Sequence, residues 1–257
     1  MGHATTIRIA AIIAAAALLS ATAPAQTAED IVSRMNQHDR ERMSALTHYG
    51  SQRTYHVEYH GPLGNHAADL QARMDFSAPD QKHFTVISES GSETVCHKVL
   101  DKLMETEQEG ALEANHIRFM LSPENYDLKL IGDDDIDGVK AWQIEVTPHA
   151  NTRFTYKGKV WISKADYAVI RITGEPAKNP SFWVSNATFD YRYGRNGEFW
   201  LPQHGETVSH MRMGGEAKLT VDYGTYEIDA TPSTARAASS TSHAKSTSLA
   251  STAIALR

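Results

Sequence analysis

The chain carries one cysteine in 257 residues, Cys96, so no internal disulfide can staple it. A buried thiol acting as a small apolar group is the expectation for that residue. Basic runs are absent too: Lys+Arg number 25 against Asp+Glu 31, a net charge of −6. That balance lacks the electrostatic footprint of a nucleic-acid binder. Neither G-x-S-x-G, nor a P-loop, nor a dinucleotide fingerprint occurs. The apolar run IAAIIAAAALL near the N-terminus is too short and too Ala-rich for the about 20 residues that span a bilayer.

That run has another use. Arg8 supplies a positive flank, the run an apolar centre, and Ala23-Pro24-Ala25 a small-x-small cleavage site before Gln26. Together they predict a signal peptide over 1–25 and an exported protein. No cysteine lies near the cleavage site, so no lipid anchor is expected there. At the other end, 230–257 is dominated by Ser, Thr and Ala, and cannot bury enough surface to offset its ordering entropy. A disordered tail is expected, leaving 26–229 as one folded domain. With 41% hydrophobic and 22% charged residues and a mean hydropathy of −0.42, the composition is that of a soluble globular protein.

The stretch GDDDIDGVKAWQIEV (132–146) crowds four aspartates into five positions. Asp133, Asp135, Asp137 and Gly138 fit the first half of a calcium loop. The twelfth position is Ile144, however, and Glu145 arrives one residue late, on the opposite face of a strand. Trp142, Ile144 and Val146 alternate with Gln143, Glu145 and Thr147, the period of a half-buried strand. Asp137-Gly138 between two such runs reads as a hairpin turn.

The same periods organise the rest. Thr27 followed by Asp30 makes a capping box, and Ile31, Met35, Met43 and Leu46 an apolar helical face, predicting a helix over 28–45. Tyr55, Val57 and Tyr59, then Leu70, Ala72, Met74 and Phe76, then Phe84 and Val86 mark three strands of a meander. Val95, Val99, Leu103 and Met104 mark a helical insert over 95–109, and Ile117, Phe119 and Met120 a short second helix. Strands resume afterwards: Val160 with Ile162, Ala168 with Ile170 and Ile172, Ala187 with Phe189 and Tyr191, and Ala217 with Leu219, Val221 and Tyr223. Many strands without crossover helices predict a mainly β, α+β fold: one curved antiparallel sheet capped by few helices.

Motifs for chemistry fail on inspection. HVEYH (56–60) misplaces the glutamate of a zinc-peptidase motif, and on a strand its histidines stand roughly 13 Å apart along the chain. A polar outer strand face is expected there. Ser88-Glu89-Ser90-Gly91-Ser92 reads as a turn into the following helix. No catalytic residue, metal or cofactor is expected.

The second half is distinctive as a series: YKGKVWISKADYAVIRITGEPAKNPSFW, then GEFWLP, then GEAKLTVDYGTYEI. With the exported N-terminus and the insert SESGSETVCHKVLDKLMETE, it resembles the LolA/LolB/RseB-like periplasmic superfamily, especially outer membrane lipoprotein-sorting proteins. The matching pieces are Gly158-Lys159-Val160-Trp161-Ile162, Asp137-Gly138 in its hairpin, and Phe199-Trp200-Leu201-Pro202. The resemblance implies an unclosed β-barrel of roughly eleven strands, its concave side plugged by helices and able to hold acyl chains. The carriers' Arg-Pro pair after the second strand is replaced by Ser77-Ala78-Pro79-Asp80, so the cavity carries over and the carriers' arginine does not.

The expected function is a soluble, monomeric periplasmic protein, not lipid-anchored, that binds acyl chains of a lipid or lipoprotein in lipoprotein sorting or envelope lipid trafficking. The alternative is an envelope-stress sensing module that binds a protein partner; a hydrolase comes third. Candidates for the hydrophobic cavity are Tyr55, Val57, Leu70, Met74, Phe84, Trp142, Ile144, Ile170, Phe189, Leu219 and Val221. Candidates for a helical lid are Leu103, Met104, Phe119 and Met120.

Overall fold

The structure, a computed structural model, describes residues 26–62, 64–96, 100–112 and 120–230. The signal-peptide segment, the tail beyond 230, and the short helix expected around Ile117 and Phe119 fall outside these residues. Helix α1 (Ala28–Ala45) has the bounds its periodicity predicts. Thr27 Oγ1 accepts from the Asp30 N–H at 3.2 Å while the Asp30 carboxylate accepts from the Thr27 N–H at 3.4 Å, closing the capping box. Ile31, Val32, Met35 and Met43 form its buried stripe.

Three strands follow: β1 (Leu46–Gly61), β2 (Gly64–Ser77) and β3 (Gln81–Gly91). The helical insert comprises α2 (Glu93–Val95) and α3 (Asp101–Ala111). Seven more strands complete the chain: β4 (Tyr126–Ile136), β5 (Val139–Pro148), β6 (Tyr156–Ser163), β7 (Val169–Pro176), β8 (Val184–Asn196), β9 (Phe199–Met211) and β10 (Glu216–Ala230). All ten form one antiparallel sheet in the order β3-β2-β1-β10-β9-β8-β7-β6-β5-β4, one strand short of the expected number. β3 and β4 are the two free edges, so the sheet does not close. Within the insert between them α3 packs on edge β3 and α2 on β2, while α1 packs on β1 and on edge β4.

The hairpin reading of the aspartate stretch holds. Ile136 pairs with Val139 across a two-residue turn in which Asp137 and Gly138 have φ of 52° and 85°. Asp135 Oδ1 accepts from the Gly138 N–H at 2.7 Å, and Asp134 Oδ2 from the Trp161 indole at 2.8 Å. Lys140 and Lys164 pair with Asp135 and Asp133.

Alternation sorts the strands into faces. Tyr55, Val57, Leu70, Ala72, Ile144, Val146, Val160, Ile162, Ile172, Phe189, Tyr191 and Val221 form one cluster with Ile31, Val32 and Met35 of α1 and Leu103 and Met104 of α3. A second cluster, Met43, Leu46, Tyr49, Met74, Phe76, Phe199 and Leu201, fills one end. The parity expected for β7 is corrected: Ile170 does not share a face with Ile172. The register slips between Trp161↔Arg171 and Ile162↔Val169, so Ile170 is the extra residue of a bulge and joins Ala141 and Trp161 on the opposite face. A similar slip beside Gln71 and Ala72 leaves Val86 and Ile87 exposed at the β3 edge.

Gly138→Ala is expected to cost about 1–2 kcal/mol in urea unfolding, since an L side chain at positive φ strains the turn although space around it is open. An unchanged midpoint would show that the turn is not held in this form.

Candidate functional site

The inner face of β1 reads Ser51, Arg53, Tyr55, Val57, one residue in two, and all four are buried. A guanidinium therefore sits on an apolar wall. The same parity carries Lys82 inward two residues before Phe84 on β3, and one helical turn carries Glu107 inward four residues after Leu103 on α3. The three side chains meet: Arg53 Nη1 donates to both Glu107 oxygens at 2.7 Å, and Lys82 Nζ donates to Glu107 Oε1 at 2.9 Å. Their side chains are 1%, 2% and 0% exposed for Arg53, Lys82 and Glu107, so water screens none of the charges.

Aromatic rings complete the shell. The Arg53 guanidinium lies 4.7 Å from the Tyr223 ring centroid and 5.4 Å from that of Phe84. Burial works against the Glu107 carboxylate, but Arg53 and Lys82 overcome it and hold the group below the usual carboxylate range. Burial pushes the Lys82 ammonium down to about 8, with Arg53 adding to the fall and Glu107 opposing it. Desolvation raises the phenols of Tyr49, Tyr55, Tyr223 and Tyr226, which stay neutral. Arg53 Nε and Nη2, Ser51 Oγ and the phenol oxygens of Tyr55 and Tyr223 make no hydrogen bond of good geometry among the described residues, although the Tyr55 phenol is close enough to Arg53 to interact with it, and that of Tyr226 to Ser51.

The cluster fastens α3 to the sheet. Besides Glu107, the helix buries only Leu103, Met104, Thr106, Gly110 and Ala111, and Gln108 Nε2 donates to the Lys82 carbonyl at 3.2 Å. A groove of about 380 Å³ opens beside it, lined by Asp80, Gln81, Lys82, Glu105, Gln108, Glu109 and Leu112.

The cavity candidates divide. Tyr55, Val57, Leu70, Ile144, Phe189 and Val221 lie together in the main cluster, with Phe84, Trp142 and Leu219 half-buried against it. Met74 belongs to the end cluster and Ile170 to the outer one. Of the lid candidates, Leu103 and Met104 touch the main cluster. Met120 is half-buried, its carbonyl accepting from Asn125 Nδ2 at 2.9 Å, and Phe119 falls outside the described residues. Among the described residues, the space between helices and sheet is filled by side chains: Tyr55, Leu70, Ile144 and Val160 are 0% exposed. The slot where α1 meets Val169, Tyr193 and Trp200 measures only about 10 Å³.

Larger hollows lie elsewhere. One of about 520 Å³ opens around Ile136, Val139, Ile170 and Trp200. Another, about 310 Å³, is apolar and lined by Tyr59, Trp183, Met211, Met213 and Gly214. It adjoins an exposed tip in which Phe182, Trp183 and Met213 stand 76%, 55% and 61% open to solvent. The thiol of Cys96 is buried, and His56 lies on the outer face between Asp69 and Glu58, as the strand reading of HVEYH expects.

Sequence reading by apolar residues alone passed over Arg53, Lys82 and Glu107. The available signal was parity, because each charge sits at an inward position of its own element.

Glu107→Ala leaves two cations buried without their carboxylate and is expected to lower the unfolding free energy by about 3–5 kcal/mol in urea melts. A loss under about 1 kcal/mol would mean the cluster is open to water. Above pH 8 the folded Lys82 gives up its proton while the unfolded lysine keeps it up to 10.5, so stability rises with pH in that window. A gain of about 1 kcal/mol between pH 8 and 9 is expected, absent in Lys82→Met. Glu107 acts in the other window: its contribution is full above the free carboxylate range and lost as acid protonates it in the fold.

No family model matches the chain, and no curated protein matches it in sequence. In three dimensions it is similar to a DUF1329 family protein from Desulfovibrio piger, at 13% identity and a TM-score of 0.40, over 79% of this chain and 92% of that one. It is similar to a domain named for outer membrane lipoprotein sorting from Vibrio parahaemolyticus, at 11% identity and a TM-score of 0.41, over 76% and 91%. It is also similar to a LolA superfamily protein from Nitrosomonas europaea, at 11% identity and a TM-score of 0.34, over 82% and 97%.

Proposed function

We propose that this chain is an exported, periplasmic protein that holds an acyl chain of a lipid or lipoprotein against the inner face of its sheet, with α3 as the cover that moves. The observation that carries this reading is the contrast between wall and cover. The wall is apolar across β1, β2, β5, β6, β8 and β10, whereas α3 offers it only Leu103, Met104 and Ala111 as buried apolar side chains. A cover held by ions on a wall made of hydrocarbon can be exchanged for hydrocarbon. At about 0.8 kcal/mol per buried methylene, one long acyl chain supplies on the order of 10 kcal/mol before ordering costs. The packed interior is then the unloaded arrangement, in which Leu103 and Met104 stand where the chain would lie.

A second reading, an envelope module that docks a protein partner, draws on the exposed tip of Phe182, Trp183 and Met213. Large exposed aromatics beside an apolar groove are a feature of interaction surfaces. Paired Phe182→Ser and Trp183→Ser changes separate the two readings, since they remove a docked partner and leave acyl binding unchanged.

Native mass spectrometry of the purified protein is expected to show bound lipid, and a fluorescent fatty acid to be displaced by unlabelled acyl chains. Protein that is reproducibly empty and ignores both would end the acyl-chain reading.

A further inference from the structure

Three turns meet at the end of the sheet where Phe182, Trp183 and Met213 stand exposed. They are the β1–β2 turn at Gly61 and Pro62, the segment 177–183 before β8, and the β9–β10 turn at 212–215. Hydrogen bonds lock them together. The Arg212 N–H donates to the Trp183 carbonyl at 2.8 Å, and Arg212 Nε to the Phe182 carbonyl at 2.7 Å. The Tyr59 hydroxyl donates to the Gly214 carbonyl at 3.1 Å, and Ser185 Oγ to the His210 carbonyl at 2.9 Å. The rings of Phe182 and Trp183 are set edge to face with centroids 5.4 Å apart, and the Arg212 guanidinium lies 5.6 Å from the Phe182 centroid. A fixed framework thus holds these apolar side chains out toward solvent instead of turning them inward.

Charge at this end differs from that of the whole chain. The stretches that form it, 59–68, 176–189 and 207–215, contain Lys178, Arg212 and histidines but no aspartate or glutamate, in a protein whose net charge is −6. Lys178 and Arg212 are exposed and make no ion pair among the described residues. The bordering carboxylates of Glu58 and Glu216 lie 3.8 and 3.5 Å from His60 and His210. Exposed aromatic and thioether groups flanked by unpaired cations, with no acid among them, fit an anionic bilayer surface, where rings enter the headgroup layer and cations meet phosphates. A protein partner fits less well. The three side chains offer on the order of 400 Å², about half of the ~800 Å² that each partner of a stable complex buries.

We propose that this end of the sheet docks on the surface of a bilayer that contains anionic lipid, with Phe182, Trp183 and Met213 in the headgroup layer and Lys178 and Arg212 on phosphates. The inner wall leads to the same place. Tyr59 continues the inward parity of Tyr55 and Val57 along β1, and with Trp183, Met211, Met213 and Gly214 it lines the apolar groove of about 310 Å³ beside the tip. Docked in this way, the protein turns the end of its apolar face toward the lipid that would give or take an acyl chain. The proposal goes beyond the acyl-chain reading and stands without it, since a surface contact at the tip needs no chain bound behind it.

The test uses the chain from Gln26 on, which holds all ten strands and lacks the apolar N-terminal run. It is mixed with vesicles of phosphatidylcholine alone, or of phosphatidylcholine with about a third phosphatidylglycerol. Co-sedimentation is expected to show binding about tenfold or more tighter to the anionic vesicles, the worth of two cations at the surface. Phe182→Ser with Trp183→Ser is expected to weaken that binding about tenfold or more. Lys178→Gln with Arg212→Gln is expected to erase the preference between compositions. Trp183 is the one exposed tryptophan of the four, so indole emission should move to the blue on anionic vesicles and stay in place in Trp183→Phe. If a double variant folds poorly, salt decides on the wild type: at about 1 M, where the screening length is about 3 Å, the anionic preference should vanish. Equal binding to both compositions, binding that survives the serine pair unchanged, or emission that does not move overturns the docking surface. Binding to neither vesicle overturns it as well and leaves the tip to a protein partner. Displacement of a fluorescent fatty acid without vesicles is read on the same samples. Protein that binds vesicles and no acyl chain keeps the docking surface and ends the acyl-chain reading, and the reverse result overturns the docking surface alone.

Discussion

β3 and β4 do not meet, and the chain that joins them has to cross from one edge of the sheet to the other. This constraint sets the rest. Ten antiparallel strands leave two unpaired edges, and the only chain between those edges is the insert that carries α2 and α3. Its helix α3, whose Leu103 and Met104 lie against the inner face, has 11 residues and is too short to be stable by itself, so it has to be fixed to that wall. The fixing is ionic. Glu107 reaches through the apolar layer to Arg53 on central β1 and Lys82 on edge β3, so one carboxylate ties the cover to two strands.

Ion pairs in such a setting are poor sources of net stability, because the desolvation they suffer offsets most of their attraction. What they provide is position. Leu103 and Met104 could pack at many registers on a wall of aliphatic side chains, whereas Glu107 satisfies Arg53 at only one. The attachment is separate from the sheet's own ladder hydrogen bonds, which lie elsewhere.

The opposite face follows other rules. There Trp161 is covered by polar groups: its indole donates to Asp134, and the Arg171 guanidinium lies 5.1 Å from its ring while pairing with Asp190. The aspartates of the β4–β5 hairpin thus serve the turn and its neighbours, and the crowding that suggests an ion site has a local use for Asp133, Asp134 and Asp135. The bulge at Ile170 sends one more apolar side chain to this face, beside Ala141 and Trp161.

Much of this was legible from the residues alone, wherever the deciding forces are local. Thr27 and Asp30 cap α1 because their side chains reach their own backbone, and Asp137-Gly138 turns because Gly takes a positive φ freely and Asp tolerates one. Tyr55, Val57, Leu70 and Ile144 face inward because a strand alternates. Ile170 was misread because a bulge breaks alternation, and its register is set by the partner strand. Arg53, Lys82 and Glu107 were passed over because a charge on an inward position has no meaning until its partner is known, and the partners lie 54 and 25 residues apart in the chain. The sequence by itself determined the elements, their faces and the antiparallel class. Only the tertiary structure decided that three distant charges share one buried place, since long-range electrostatics acts on positions in space that no local pattern encodes.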